Sequence, residues 1–107
     1  MSGHVDAAAS VLASERLPRG FARLRVSLPP SLRGLVAVKG SVAVDGVSLT
    51  VTGLSKDWFE TVLVPHTVLN TNLGSRRPGE RVNLEADLVA RYLRSILEEG
   101  APLRRKA

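Results

Sequence analysis

The chain has two histidines, His4 and His66, and no cysteine. Imidazole is the usual agent of proton transfer near neutral pH, so both are candidates for acid–base work. Each reads equally well as an isolated polar residue at or near the surface. No carboxylates stand at ligand spacing from either, so the pattern does not point to a metal site. The lack of cysteine removes disulfides, thiolate ligands and a thiol nucleophile. Ser48 sits in Gly46-Val47-Ser48-Leu49-Thr50, which is not the Gly-x-Ser-x-Gly elbow of a hydrolase. The glycines from Gly34 to Gly40 match neither a phosphate loop nor a dinucleotide fingerprint, and Lys39 reads as a turn lysine. What remains is a set of hydroxyls, Ser41, Ser48, Thr50 and Thr52, at alternate positions around one turn. Such a row is either a solvated edge or the floor of a site for a polar ligand.

The element that must position those hydroxyls is a hairpin. Asp45-Gly46 lies between two alternating apolar runs, the strongest short-range signal for a two-residue type I′ turn. Val44 and Val47 flank the turn, and Val42 is predicted opposite Leu49. These four with Val51 make an apolar face, leaving Ser41, Ala43, Ser48, Thr50 and Thr52 on the other. Upstream, residues 5–13 read as a first strand and residues 21–28 as a second with clean alternation. Pro29-Pro30 stops the second strand, because proline cannot donate to a ladder. Ser31 is a plausible cap for one helical turn over residues 31–35. Further strands are predicted over residues 58–64 and 81–85, with a short helix over 66–70 between them. The period then changes. Leu88, Val89, Tyr92, Leu93, Ile96 and Leu97 form one helical stripe, with Asp87 as N-cap and Gly100-Ala101-Pro102 as the stop.

The predicted fold is therefore all-β: a six-stranded antiparallel Greek-key barrel over residues 1–87, an amphipathic helix over 88–100 and a flexible basic tail over 101–107. The helix must either plug the barrel or pack on another subunit. A net charge of +5 raises nucleic acid as a partner, but the basic residues are scattered. Single-strand binding would need exposed stacking aromatics, and Phe21, Trp58, Phe59 and Tyr92 are expected mostly in the core. No run is apolar enough to span a membrane and no signal peptide is visible, so a cytoplasmic protein is expected.

The hairpin segment from Gly40 to Val51 resembles the signature hairpin of the lumazine-binding domain of riboflavin synthase. Three further segments agree in order and spacing: Ser2-Gly3-His4-Val5-Asp6; Val64-Pro65-His66-Thr67 with Thr71-Asn72-Leu73-Gly74; and Val82-Asn83-Leu84-Glu85-Ala86-Asp87. Each motif alone is weak, and four in register are specific. The family enzyme has two such barrels in tandem and forms riboflavin from two molecules of 6,7-dimethyl-8-ribityllumazine by transfer of a four-carbon unit. The first barrel begins Met-Phe-Thr-Gly and carries cysteine where this chain has Ser48. The resemblance is thus to the second, C-terminal barrel alone.

The resemblance implies a ligand of lumazine or riboflavin type and no required metal or redox cofactor. It places Ser48, Leu49 and Thr50 beside the ring. Val64, Pro65, His66, Thr67, Val68 and Leu69 match the segment whose backbone, with the Thr67 hydroxyl, holds the pyrimidine edge. Gly3, His4 and Val5 match a segment that reaches a ligand held across a barrel–barrel interface. Lys39 matches a lysine near the ligand, and Asp87 an acid near that interface. His4 and Ser48 are the candidates for catalytic roles. The implied partners are another lumazine-binding barrel and a homo-oligomer, dimer or trimer, seamed by the C-terminal helix. A lumazine or flavin carrier is the alternative reading, with a nucleic-acid-binding barrel behind it.

Overall fold

The computed structural model describes residues 6–99. Six antiparallel strands close a barrel: β1 (Ala7–Arg16), β2 (Ala22–Ser27), β3 (Ser41–Val44), β4 (Val47–Leu54), β5 (Trp58–Leu63) and β6 (Arg81–Ala86). Around the barrel the order is β1-β2-β5-β4-β3-β6. The long connection over residues 28–40 carries the chain from β2 across to β3, and the meander β3-β4-β5 brings β5 back beside β2, which is the Greek-key arrangement expected from the sequence. Closure pairs every strand with a neighbour on each side, though not along its whole length.

Alternation decides what faces inward. In β2, Ala22, Leu24 and Val26 are buried, whereas Arg23, Arg25 and Ser27 are half-buried outside. In β5, Phe59, Thr61 and Leu63 point in, and Trp58, Glu60 and Val62 point out. Leu32, Leu35 and Val36 pack into the core from the connection after β2, and Leu73 does so from the loop before β6. The core is built from Val, Leu and Ala around one buried ring, Phe59.

The Asp45-Gly46 turn is as the sequence requires. Asp45 has φ 49° and Gly46 φ 82°, both in the left-handed region of a type I′ turn. Val44 pairs with Val47 and Val42 with Leu49. Val42, Val44, Leu49 and Val51 are buried, while Ser48, Thr50 and Thr52 are exposed, so the hydroxyl row lies on the outer wall.

Several boundaries differ from expectation. The first strand runs on to Arg16 instead of stopping near Ala13, because Ser14, Glu15 and Arg16 find partners in Leu24, Arg23 and Ala22 across a bulge at Leu12. The expected turn at Ser31 is a 3-10 turn, Pro30–Leu32, capped by Pro29 without a side-chain hydrogen bond. The short helix α1 (Pro65–Asn70) starts at the proline itself, which suits the first helical position because it lacks an N–H to leave unbonded. The C-terminal helix α2 (Leu88–Glu99) forms as expected, and the Asp87 carboxylate accepts from the Val89 N–H at 3.4 Å. It does not plug the barrel: Val89, Tyr92, Leu93 and Leu97 are exposed. Gly100, the tail over 101–107 and the segment over 1–5 lie outside the described residues.

The aromatics are less buried than expected. Phe59 alone is fully buried, Trp58 and Phe21 are half-buried, and Tyr92 is exposed. Trp58 is nonetheless covered, since the Arg25 guanidinium stacks 3.9 Å from its ring centroid. Arg25 and Arg23 are also held by Glu60 and Glu15. That face is a paired ionic network and offers no open aromatic platform of the kind single-strand binding uses.

Candidate ligand-binding site

The hydroxyl row lies beside a break in the barrel wall. β4 pairs with β5 only from Leu54↔Phe59 to Val51↔Thr61, with a bulge between Val51 and Gly53. Beyond that point β4 continues on β3 as far as Val44↔Val47, and β5 continues on β2 as far as Ala22↔Leu63. The two strands therefore part, and a seam opens between residues 47–50 and 62–64.

Backbone polarity along the seam follows from the ladder on either side. The Val51 N–H donates to Gly40 O at 2.9 Å, and Val51 O accepts from Lys39 N–H at 2.8 Å. Hydrogen-bonding direction alternates along an antiparallel strand, so Ser48 and Thr50 turn their N–H and C=O groups toward β5. On the other side, Leu28 N–H donates to Asp57 O at 2.9 Å, which by the same alternation turns the groups of Val62 toward β4. The seam is thus edged by main-chain donors and acceptors spaced like a β-ladder with one strand missing.

Thr61 closes its lower end. The side chain is fully buried, and its hydroxyl donates to Thr50 O at 2.7 Å. A core hydroxyl here takes the place of a ladder bond. Thr61→Val keeps the shape and removes the donor, and should cost about 1 kcal/mol in a denaturant melt.

At the upper end β5 stops at Leu63 and the chain runs through Val64 into α1, which packs on the 3-10 turn Leu73–Ser75. Val64, just past the end of β5, is 49% exposed, and Leu69 on α1 is 83% exposed. Val68 packs down onto the core. Thr67 is half-buried, and its carbonyl receives the Thr71 hydroxyl at 2.7 Å. His66 is exposed; the Asn70 amide donates to His66 O at 2.7 Å and lies 3.2 Å from Nδ1, so the imidazole is held on the helix surface. Gly74 presses against this helix: a Cβ there would lie 2.9 Å from Val68 Cγ1.

The predicted site residues therefore separate into groups. Ser48 and Thr50 stand on one edge of the seam and Val64 follows the end of the other, while Pro65, His66, Thr67, Val68 and Leu69 belong to the helix that comes after it. Leu49 turns its side chain into the core and its backbone groups toward Val42 of β3, so it stands between two seam residues without facing the seam itself. Lys39 is exposed in a left-handed conformation, φ 72°, two residues from Ser41 along the chain that adjoins Thr50. Gly3, His4 and Val5 lie outside the described residues. Three contributors escaped the sequence reading: Thr61, Val62 and Gly74. Thr61 looks like any β-branched strand residue, and only its inward phase within residues 58–64 marks a hydroxyl in the core.

Among the described residues no group of three metal-ligating side chains forms, and no helix is long and apolar enough to cross a membrane.

Comparison with known proteins shows the family and the fold. The family profile described as "Lumazine binding domain" matches residues 2–87. Riboflavin synthase of Mycobacterium bovis is 45% identical over 104 residues, covering 94% of this chain and 51% of that protein. Riboflavin synthase of Photobacterium phosphoreum is 39% identical over 102 residues, with 95% and 46% covered. The chain spans about half the length of these relatives. The fold is also that of LumP complexed with riboflavin, with a TM-score of 0.76 at 21% identity over 81% of this chain and 47% of that one. LumP complexed with 6,7-dimethyl-8-(1'-D-ribityl) lumazine superposes with a TM-score of 0.72 at 23% identity, covering 80% of this chain and 47% of the other. The barrel, its hydroxyl-bearing hairpin and the match along residues 2–87 lead to one assignment: the chain belongs to the lumazine-binding-domain family.

Proposed function

We propose that the β4–β5 seam binds the ring of 6,7-dimethyl-8-ribityllumazine or riboflavin, and that the chain acts as one half of riboflavin synthase, equivalent to its C-terminal barrel. The parting of β4 and β5 at Val51↔Thr61 carries this reading. A lumazine is a flat ring with a carbonyl–imide edge and a polyol tail. Its edge needs in-plane donors and acceptors, which the backbone of Ser48, Thr50 and Val62 offers. Its faces need apolar cover, which Val64 and Leu69 offer. The Thr67 hydroxyl adds a polar contact at the pyrimidine edge, and the hydroxyls of Ser48 and Thr50 border the ring.

Formation of riboflavin requires two lumazines held face to face, one losing a proton from its C7 methyl and the other accepting a nucleophile at C7. Much of the acceleration in such a reaction comes from orientation. This chain supplies one ligand wall, and a second barrel supplies the other. In this reading no step passes through a metal or redox cofactor, His4 orients a ligand or moves its proton, and Ser48 lies at the reacting edge. Fluorescence titration with the lumazine, followed by a riboflavin-formation assay with and without an added N-terminal barrel, tests it. Binding with turnover only in the presence of the partner is expected. Binding without turnover in either case would assign the chain as a carrier, and absence of binding would overturn the reading. His4→Ala should lower turnover in the paired assay, and normal turnover would remove His4 from the mechanism.

The exposed stripe of Val89, Tyr92, Leu93 and Leu97 is proposed as the seam of a homo-oligomer. Leu93→Asp should shift the mass measured by light scattering from oligomer to monomer. A parent protein that is monomeric at high concentration would contradict the proposal.

A further inference from the structure

Where β4 and β5 part, ladder bonds no longer fix the width of the seam, so other contacts must hold its two sides. One side is the β3–β4 hairpin, which carries Ser48 and Thr50. The other is the end of β5, which runs through Val64 into α1, with the 3-10 turn Leu73–Ser75 packed on that helix through Gly74 and Val68. A single ion pair joins these two units: Arg76 Nη2, one residue past the 3-10 turn, donates to Asp45 Oδ2 at 2.7 Å. Asp45 occupies the hairpin tip, and its other carboxylate oxygen accepts from the Asn83 N–H of β6 at 2.7 Å. Its own N–H donates to Asn83 O at 2.8 Å. The tip is thereby anchored to β6 and tied across the barrel end to the segment that packs on α1.

Resting on the proposed ligand site, we propose that Asp45 and Arg76 are positioning residues: a strut that sets the separation of the hairpin from α1 and so the fit of the ring in the seam. Three observations favour a positioning role over a stabilising one. The contact is end-on rather than bidentate, through one guanidinium nitrogen. The Arg76 Nε is buried with no hydrogen-bond partner, a cost set against whatever the pair contributes. Both side chains keep about a quarter of their surface exposed, 24% for Asp45 and 28% for Arg76, which screens their attraction. Such a pair adds little to folding, yet it fixes a geometry. Asp45 is well placed to do so, because its left-handed turn conformation holds the carboxylate in one orientation.

The test uses the full chain with 6,7-dimethyl-8-ribityllumazine, reading the Kd and emission maximum of the bound ligand beside Tm. The substitutions are Arg76→Ala, Arg76→Lys and Asp45→Asn, since asparagine also tolerates the left-handed turn. Arg76→Ala and Asp45→Asn should each raise Kd about tenfold and shift bound emission toward that of free ligand, while Tm moves by only a few degrees. The double variant should lose no more than either single one, as for two ends of one contact. Arg76→Lys should recover most of the affinity. Unchanged Kd in both single variants, or a Kd rise that follows Tm and is not restored by lysine, would overturn the inference. Failure of the parent chain to bind at all would instead overturn the ligand assignment.

Discussion

Phe59→Ala will produce the largest loss of stability of any single truncation in the barrel. Phe59 is fully buried and is the one aromatic ring in the core, surrounded by side chains of the Val and Leu class. Deleting a buried ring costs about 3–5 kcal/mol, the transfer term plus the cavity left behind. A domain of this size has roughly 5–15 kcal/mol in total. Several of the neighbours that would have to fill the space are β-branched, and these are stiff at χ1. Collapse around the cavity should therefore be poor and the cost near the upper end. Thermal melting followed by far-UV circular dichroism should show a fall in Tm of more than about 10 °C, given about 4–8 °C per kcal/mol for a small domain. A fall of only a few degrees would mean that the core is not packed as described. Phe59→Leu, which retains most of the volume, should recover the larger part of the loss.

The second large effect belongs to Gly74. It follows Leu73, a core residue, and its backbone lies against α1 so closely that a methyl group would sit 2.9 Å from Val68 Cγ1 and 3.5 Å from Val68 Cα. Real Cβ atoms do not approach so near, so Gly74→Ala must push α1 outward. Overpacking of this kind costs about 1–3 kcal/mol. More telling is where the displacement goes: α1 is joined to the end of β5 through Val64 and carries Thr67, so on the proposed ligand site lumazine affinity should fall at least tenfold. Val68→Ala removes the colliding methyl and should restore much of that affinity in the double variant despite its own packing cost. Measured as a cycle, the two substitutions should be strongly non-additive. Additive losses would show that Gly74 is needed for some reason other than its approach to Val68.

The hairpin and the second strand were legible in the sequence because their information is local. Asp45-Gly46 requires a specific backbone conformation, and the alternation from Phe21 to Leu28 marks an inner and an outer face without reference to any other strand. The four matching segments then made the family and its barrel legible together. The seam was not legible in this way. Its existence depends on where β5 stops following β4, and that is set by the bulge between Val51 and Gly53 and by the departure of the chain into α1. A bulge changes cross-strand register, which no single strand records. Gly74 stands in a stretch rich in breakers, where a glycine reads as a turn residue, so its close approach to Val68 could not be anticipated. The Asp45–Arg76 contact joins residues 31 positions apart and has no local signature. Leu49 shows the converse limit. Its position beside the ring followed from the family pattern, yet the alternation that aims Ser48 and Thr50 outward sends Leu49 into the core.

The central claim is that ligand enters between β4 and β5. Titration of isotopically labelled protein with 6,7-dimethyl-8-ribityllumazine, followed by amide chemical shifts, tests it most directly. The largest shifts are expected at the amides of Ser48, Leu49 and Thr50 and across the segment from Val62 to Leu69, with Arg23, Arg25 and Trp58 on the ionic face unmoved. Saturable binding with its largest shifts on that ionic face, or elsewhere away from the seam, would contradict it.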